Sequence, residues 1–346
     1  MRIAGRTIGT ESPPFVVAEI SGNHGGRLSR ALELIDAAAD AGVDAVKFQT
    51  YTADTITIDA DTAAFRISDG HGLWGGRTLY DLYTEAHTPW DWHAELFRHA
   101  RRRGLIPFSS PFDATAVTLL EELEAPAYKI ASLEIGDTGL LRAVAATGKP
   151  VMLSNGAATL QEVTAAIDTL TSAGASGIIL LSCVSAYPAD PREVNARSIP
   201  VLRDALGVTV GFSDHTPGLG SSLAAVAMGA TVIEKHMTMS RAEGGVDAAF
   251  SLEPSEMKSL AVEARRVWES LGSATPAVSA GESESRRLAR SLWVVRDVAA
   301  GEEVTSDTVR SIRPAGGLAP AEWDRVQGRR FRSDVRKGTP LRWDLL

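Results

Sequence analysis

The feature that leaves this chain fewest folds is a cadence. Through roughly the first 270 residues, short β-branched runs alternate with longer Ala/Leu-rich stretches of helical period. Strands are expected at 15–20, 45–50, 105–110, 127–132, 151–155, 178–184, 208–214 and 231–237. Helices are expected at 28–41, 92–103, 114–123, 139–147, 160–172, 195–206, 219–228 and 254–271. Glycine follows many of the helical stretches, as at Gly42, Gly104, Gly148, Gly174, Gly207 and Gly229, which is how helices commonly end. Eight strand–helix units in succession imply parallel pairing, and so an α/β fold of the (β/α)8 barrel type. A doubly wound open sheet is the alternative, but no Gly-rich dinucleotide turn supports it.

Barrel active sites lie at the C-terminal ends of the strands. Here those ends carry Glu19, then Lys47 and Gln49, Ser109 and Ser110, Lys129 and Ser132, Ser154 and Asn155, and Ser185. Asp214 and His215 follow, then Glu234 and His236. Charges beside an apolar barrel core are costly unless paired or used. Two lysines with several serines on one rim read as a site for a small dianion or trianion. His215 and His236, each closing a strand run within 208–237, read as the start of a divalent-metal site with positions open to water and substrate. The alternative is that each imidazole sits in a loop and makes ordinary hydrogen bonds.

Composition excludes several classes. Of 346 residues, 44% are hydrophobic and 23% charged, enough for a large core and unlike a disordered chain. A net charge of −8 argues against general nucleic-acid binding. No apolar run approaches the ~20 residues a membrane span needs, and the first residues lack a secretory apolar core, so a cytoplasmic protein is expected. The one cysteine, Cys183, rules out an internal disulfide framework; its apolar run reads as a buried structural thiol.

Residues 51–89 form a long insertion after the second strand, expected to cover substrate. Trp74, Tyr80, Tyr83, Arg77 and His87 are its candidates for a sugar or acyl pocket, against the alternative that they pack the insertion onto the barrel. His24 is expected to shape the first turn or touch substrate, whereas His71, His93 and His99 show no usable arrangement. The organisation expected is a barrel at 1–271, a small polar linker at 272–285, and an α+β module at 286–346. That module holds 13 basic and 8 acidic residues against 22 and 35 before it. A mildly basic surface of this kind could pack on the acidic domain, attract an anionic substrate, or simply be solvated.

The motifs AEISGNHGG, AVKFQT, PFSSPFD, AYKIAS, LSNGA, YPADPREVN, GFSDHTPG and EKHMT occur in the order found in the sialic acid synthases, which this chain resembles along its length. The C-terminal module resembles the antifreeze-like (SAF) domain of the same enzymes. Three segments, LWGGRTLYDLYTEAHTPWDWH, FDATAVTLLEELEAPAYKIAS and GGVDAAFSLEPSEMKSL, look more like the pseudaminic acid synthase branch than the N-acetylneuraminate branch. Asn155, Ala157 and Ser182 depart from the usual family residues, while Ser154 and Gly156 are retained.

The resemblance implies a condensation of phosphoenolpyruvate with an N-acetylated amino sugar, releasing phosphate by C–O cleavage. The sugar implied is 2,4-diacetamido-2,4,6-trideoxy-L-altrose, with N-acetylmannosamine or the D-manno diacetamido sugar of legionaminic acid synthesis as alternatives. By the same resemblance, His215 and His236 hold a divalent metal, usually Mn2+, with Mg2+ or Co2+ as substitutes. Lys47, Ser110, Lys129, Ser132, Ser154, Ser185 and Ser213 match phosphoenolpyruvate positions. Glu19, Tyr187 and Asp247 match sugar contacts. Arg313 matches an arginine that the SAF domain delivers to a partner subunit, which implies a domain-swapped homodimer. Glu19 and Glu234 are the candidates for proton transfer. A metal-dependent aldolase or isomerase, or a non-catalytic carbohydrate- or ice-binding protein, would leave the lysines or the rim unexplained.

Overall fold

A computed structural model describes residues 1–70, 73–275 and 277–346. The chain divides into two compact units, Met1–Gly272 and Ser273–Leu346.

The first unit is a closed barrel of eight parallel strands. They are β1 (Phe15–Glu19), β2 (Ala45–Thr50), β3 (Ile106–Pro111), β4 (Tyr128–Ile130), β5 (Val151–Ser154), β6 (Ile178–Cys183), β7 (Thr209–Asp214) and β8 (Val232–His236). Each pairs with the next, and β8 closes on β1 with His236 opposite Glu19. Helices follow the strands: α1 (Leu28–Ala41), α2 (His93–Arg102), α3 (Ala114–Glu122), α4 (Thr138–Ala145), α5 (Leu160–Ser172), α6 (Ser198–Leu206), α7 (Gly220–Ala227) and α8 (Pro254–Leu271). Side chains on one helical face, such as Leu34, Ile35 and Ala38 of α1, pack on outward strand residues such as Val46 and Phe48. The expected glycine stops hold. Gly42 and Gly207 cap α1 and α6 at φ 81° and 64°, a backbone region that costs other residues a clash at Cβ.

Pleating decides what enters the barrel. Phe15, Val17, Ala45, Phe108, Ala127, Met152, Ile179, Leu181 and Val232 fill the lower interior, closed from beneath by Ile3 and Ile8 of the N-terminal hairpin. Gly211 belongs to this layer because a Cβ there would lie 2.7 Å from Leu181 and 2.8 Å from Val232. Two residues further along each strand the same parity brings in Glu19, Lys47, Ser110, Lys129, Ser154, Cys183, Ser213 and Glu234. The apolar interior thus ends in a polar layer at the C-terminal rim.

Two expected boundaries move. The fourth strand shortens to Tyr128–Ile130, and Ser132 instead opens a 3-10 turn, Ser132–Glu134, as the chain bends over the rim. The helix expected from 195 starts at Ser198, because Asn195 adopts a left-handed conformation at φ 49°.

The second unit has its own core, including Leu292, Val294, Val304, Val309, Phe331 and Leu341. Strands β9 (Ser291–Val294) and β10 (Val309–Ile312) pair antiparallel, and the last segment adds isolated bridges such as Val298 to Val335. Within the stretch expected as a linker, Glu282–Arg286 forms a short exposed helix. Among the described residues no helix is long and apolar enough to cross a membrane.

Candidate active site

At the rim the inward residues form one connected polar cluster. The Lys47 ammonium contacts the Glu19 carboxylate, lies 3.3 Å from Ser110 Oγ and stands 3.8 Å from Glu234 Oε1. Lys129 Nζ is 3.6 Å from the same Glu234 oxygen, to which Ser213 Oγ donates at 3.0 Å. Gln49 Nε2 reaches Glu19 Oε1 at 3.3 Å. The lysines, carboxylates and serines of this cluster are all buried.

The two carboxylates are driven apart. Burial raises Glu19 to about 7, Lys47 only partly opposing it and Glu234 adding to it. Burial also acts on Glu234, but Lys129, Lys47 and the Ser213 hydroxyl outweigh it and keep that group below its ordinary range. Burial lowers Lys129, whereas the contacts to Glu19 and Glu234 overcome burial at Lys47 and raise it. Unequal carboxylates side by side are the usual signature of divided acid and base roles.

Beside the lysines, the Ser132 and Ser185 hydroxyls converge on the backbone of Gly156. A Cβ on Gly156 would collide with the Ser185 hydroxyl and come within 2.9 Å of Ser132 Oγ. Buried Ser154 Oγ has no hydrogen-bond partner, and Ala157 follows in the left-handed region at φ 59°. Hydroxyls, one of them unpaired, around a close-approaching backbone make a cradle for an anion. Asn155 is absorbed structurally: its Oδ1 accepts from Cys183 N at 3.0 Å and ties β5 to β6.

The imidazoles of His215 and His236 stand with ring centres 5.4 Å apart, walled by Tyr187 and Phe250. Nδ1 of His215 lies 3.0 Å from Val184 O, an acceptor that places the proton there and leaves Nε2 with its lone pair. Buried His236 Nδ1 lacks a hydrogen-bond partner, and Asp247 Oδ2 lies 3.8 Å from it. Burial, then the neighbouring His215 and lysines, hold His236 well below its ordinary value, so it is a neutral donor. Burial acts the same way on His215, but Cys183 and the Val184 carbonyl outweigh it and raise that group, so a metal there would compete with a proton. Two imidazoles, one of them neutral with an orphaned nitrogen, suit a divalent transition metal. Among the described residues no group of three His, Cys, Asp or Glu side chains forms a ligand set, so water and substrate would complete the coordination.

A pocket of about 330 Å³ opens beside this pair. Its barrel side presents Ser21, Gln49, Ser132, Tyr187, His236 and Asp247, whereas the 51–89 insertion supplies Ile56, Ile67, Trp74, Leu79, Leu82 and Tyr83. Of the insertion candidates, Trp74 and Tyr83 line the pocket. Tyr80 instead bonds Asp54, Arg77 pairs with Glu85, and His87 bonds Thr84 O. His24 is buried against Trp92 and bonds Thr88, and so shapes the first turn. His93 bonds Thr50, His99 pairs with Asp36, and His71 lies outside the described residues. Arg313 is exposed on the second unit, before Pro314.

Three placements differ from the sequence reading. Ser109 faces out of the barrel and bonds Thr50 at 2.6 Å, because parity admits only Ser110. Asp214 also faces outward. Cys183 is not a buried core thiol: it is partly exposed at the rim, 3.7 Å from His215 Nδ1. Burial pushes that thiol up, but His215 beside it outweighs the effect and leaves it below its ordinary range. Counting two residues on from inward Leu181 would have found it. Ser21, whose hydroxyl contacts Asp247, and Phe250 carry no comparable signal.

The NeuB family pattern matches residues 34–276, and the SAF domain pattern matches 289–346. The chain is 37% identical to a pseudaminic acid synthase of Campylobacter jejuni subsp. jejuni serotype O:23/36 (strain 81-176) over 96% of both chains. It is 35% identical to an N,N'-diacetyllegionaminic acid synthase of C. jejuni subsp. jejuni serotype O:2, over 91% of this chain and 95% of that one. A solved N-acetylneuraminic acid synthetase from Leptospira borgpetersenii serovar Hardjo-bovis superposes with a TM-score of 0.73 at 32% identity, covering 82% of this chain and 94% of the other. With its barrel and its C-terminal SAF domain, the chain belongs to the NeuB family of nonulosonic acid synthases.

Proposed function

We propose that this protein is a pseudaminic acid synthase. In this reading it condenses phosphoenolpyruvate with 2,4-diacetamido-2,4,6-trideoxy-L-altrose and releases phosphate. The observation that carries it is the apolar insertion side of a pocket whose barrel side mixes polar residues with Phe112, Ala131 and Leu133. It favours a diacetamido trideoxy sugar, and the 37% identity to a pseudaminic acid synthase favours the L-altro one. A sugar lacking its 6-hydroxyl and acetylated on two nitrogens has methyl groups to set against Ile67, Leu79 and Leu82. A polyhydroxylated sugar would leave hydroxyls unpaired there.

Lys47 and Lys129 neutralise and orient the carboxylate and phosphate of phosphoenolpyruvate, with Ser110 and Ser213 beside them. Ser132, Ser154 and Ser185 donate to the phosphate oxygens over Gly156. Tyr187 and Asp247 hold the open-chain sugar. His215 and His236 would hold a divalent cation, manganese in this reading, which supplies Lewis-acid polarisation of the sugar aldehyde. Carbon 3 of phosphoenolpyruvate forms the new C–C bond to the aldehyde carbon, and Glu19, with its raised pKa, donates the proton that the aldehyde oxygen takes up. Water adds at carbon 2 and returns a proton to Glu19. The C–O bond to phosphate then breaks as the new hydroxyl gives its proton to the leaving phosphate and becomes the keto oxygen. Glu234, kept ionised by the lysines, balances the cationic site. Arg313 would come from the SAF domain of a second copy, which makes the working unit a homodimer.

The test is phosphate release from phosphoenolpyruvate with manganese, offering each of three sugars with and without chelator. Chelator-sensitive release with only the L-altro diacetamido sugar is expected. Release with the D-manno diacetamido sugar moves the enzyme to the legionaminic branch, which its relative in that branch makes the second reading. Release with N-acetylmannosamine alone overturns the role given to the apolar wall.

A further inference from the structure

Directly behind the two imidazoles lies a charged pair that no step of the reaction uses. The side chains of Asp214 and Lys235 are 0% exposed, and Lys235 Nζ is 3.0 Å from Asp214 Oδ2. They are register partners on β7 and β8, one residue out of phase with inward Ser213 and Glu234, so both face the helix layer. There Asp214 Oδ2 accepts from Ser222 Oγ of α7 at 2.6 Å, and Oδ1 accepts from Thr216 N and Oγ1, both at 2.8 Å. Lys235 also donates to Thr216 O. Asp214, Thr216 and Lys235 therefore close a ring whose enclosed residue is His215, and the residue after Lys235 is His236.

The backbone alone does not fix the spacing of these imidazoles. Strand β7 ends at Asp214, and the Lys235–Asp214 pair is the last rung between β7 and β8. His236 is still on a ladder, opposite Glu19 of β1, but His215 has left the sheet. On its β6 side His215 is tied by Val184 O and by Ala189 N, which donates to His215 O. On its β8 side the side-chain ring is the tie. A buried ion pair is a poor source of stability, since well-packed apolar substitutes are often neutral or better. It does impose one geometry, and groups that orient metal-binding imidazoles commonly govern metal affinity about 10–100-fold.

We propose that the Asp214–Lys235 pair is a clamp that sets the separation of His215 and His236, positioning them for a divalent cation while touching neither cation nor substrate. This rests on the metal reading above. The experiment compares full-length wild type with the double variant Asp214→Asn/Lys235→Met, which removes both charges together. It reads manganese binding to chelator-stripped protein by calorimetry, thermal unfolding in chelator, and histidine 13C resonances of selectively labelled protein. The clamp predicts at least about tenfold weaker manganese binding, an unfolding temperature close to wild type, and displaced His215 and His236 resonances with those of His87 and His99 unmoved. Manganese affinity within twofold of wild type and unmoved resonances overturn it. Should the double variant fail to fold, Ser222→Ala removes one donor to Asp214 and keeps the pair. A loss of about threefold in manganese affinity is then expected, and no loss overturns the clamp. A wild type that binds no manganese sinks the metal reading instead, and the clamp is judged on the resonances alone, displaced in its favour or fixed against it.

Discussion

Lys129 Nζ lies 3.6 Å from Glu234 Oε1 with both side chains buried, so the cation proposed to bind substrate is held by an internal anion in its absence. Replacing it separates binding from folding. In Lys129→Met, Glu234 keeps Lys47 at 3.8 Å, so the fold survives. Loss of one charge at a buried anion site costs about 3 kcal/mol, roughly a hundredfold in KM for phosphoenolpyruvate. Steady-state kinetics at saturating sugar, with circular dichroism as the folding control, check this. An unchanged KM would remove Lys129 from the anion site.

Gly156→Ala tests the hydroxyl cradle by filling it. Gly156 does not need a left-handed backbone, so the added methyl acts through space alone, against the Ser185 and Ser132 hydroxyls. Overpacking of this kind costs about 1–3 kcal/mol. It should raise KM for phosphoenolpyruvate at least about tenfold and weaken product inhibition by inorganic phosphate in parallel. Phosphate inhibition equal to that of wild type would place the phosphate elsewhere.

Much of this site was legible because a barrel reduces to parity. Once strands such as 208–214 and 231–237 were recognised, their C-terminal ends had to share one rim, and Lys47, Lys129, His215 and His236 were found together. What escaped depends on facing rather than on strand position. Ser109 and Asp214 sit at strand ends yet face the helices, and Cys183, two residues past Leu181, faces the site. The Ser21–Asp247 contact joins residues 226 apart through a serine at φ 49°, and no local pattern foretells it. Residues of the insertion divide by which side of a short helix, Leu79–Ala86, they occupy: Leu79 and Tyr83 look into the pocket, whereas Tyr80 bonds Asp54 outside it.

Acid sensitivity should come in part from two histidines remote from the reaction, added to that of the lowered His236 at the site. Burial lowers His24 and His93 to about 4. His24 Nδ1 accepts from Gly26 N, a bond that a second proton would break, and burial outweighs the Pro89 O bond that would favour a charged His93. The unfolded chain takes up protons near 6.5 while the folded chain does not. Stability is therefore full above about pH 6.5 and falls as pH drops towards 4, by about 2–3 kcal/mol per histidine. Thermal unfolding from pH 7.5 to 4 checks the slope, and His93→Asn should flatten it. An equal slope in wild type and variant would assign the acid loss to other groups.

The apolar wall makes the sharpest prediction about specificity. Leu79 lines the pocket from the insertion; that lining includes Ser132 but none of Lys47, Lys129, Ser154 and Ser185. In Leu79→Ser a hydroxyl replaces the isobutyl group facing the substrate's methyl groups. The lost apolar contact is worth about 1–2 kcal/mol, or roughly tenfold in kcat/KM for the diacetamido trideoxy sugar. KM for phosphoenolpyruvate should not move, because nothing in its cradle changes. The hydroxyl also offers a partner to a sugar hydroxyl, so the ratio of kcat/KM for N-acetylmannosamine to that for the deoxy sugar should rise. A uniform loss on both sugars would mean that the wall packs the insertion without reading the substrate. A selective loss on the deoxy sugar would tie the insertion to the choice between them.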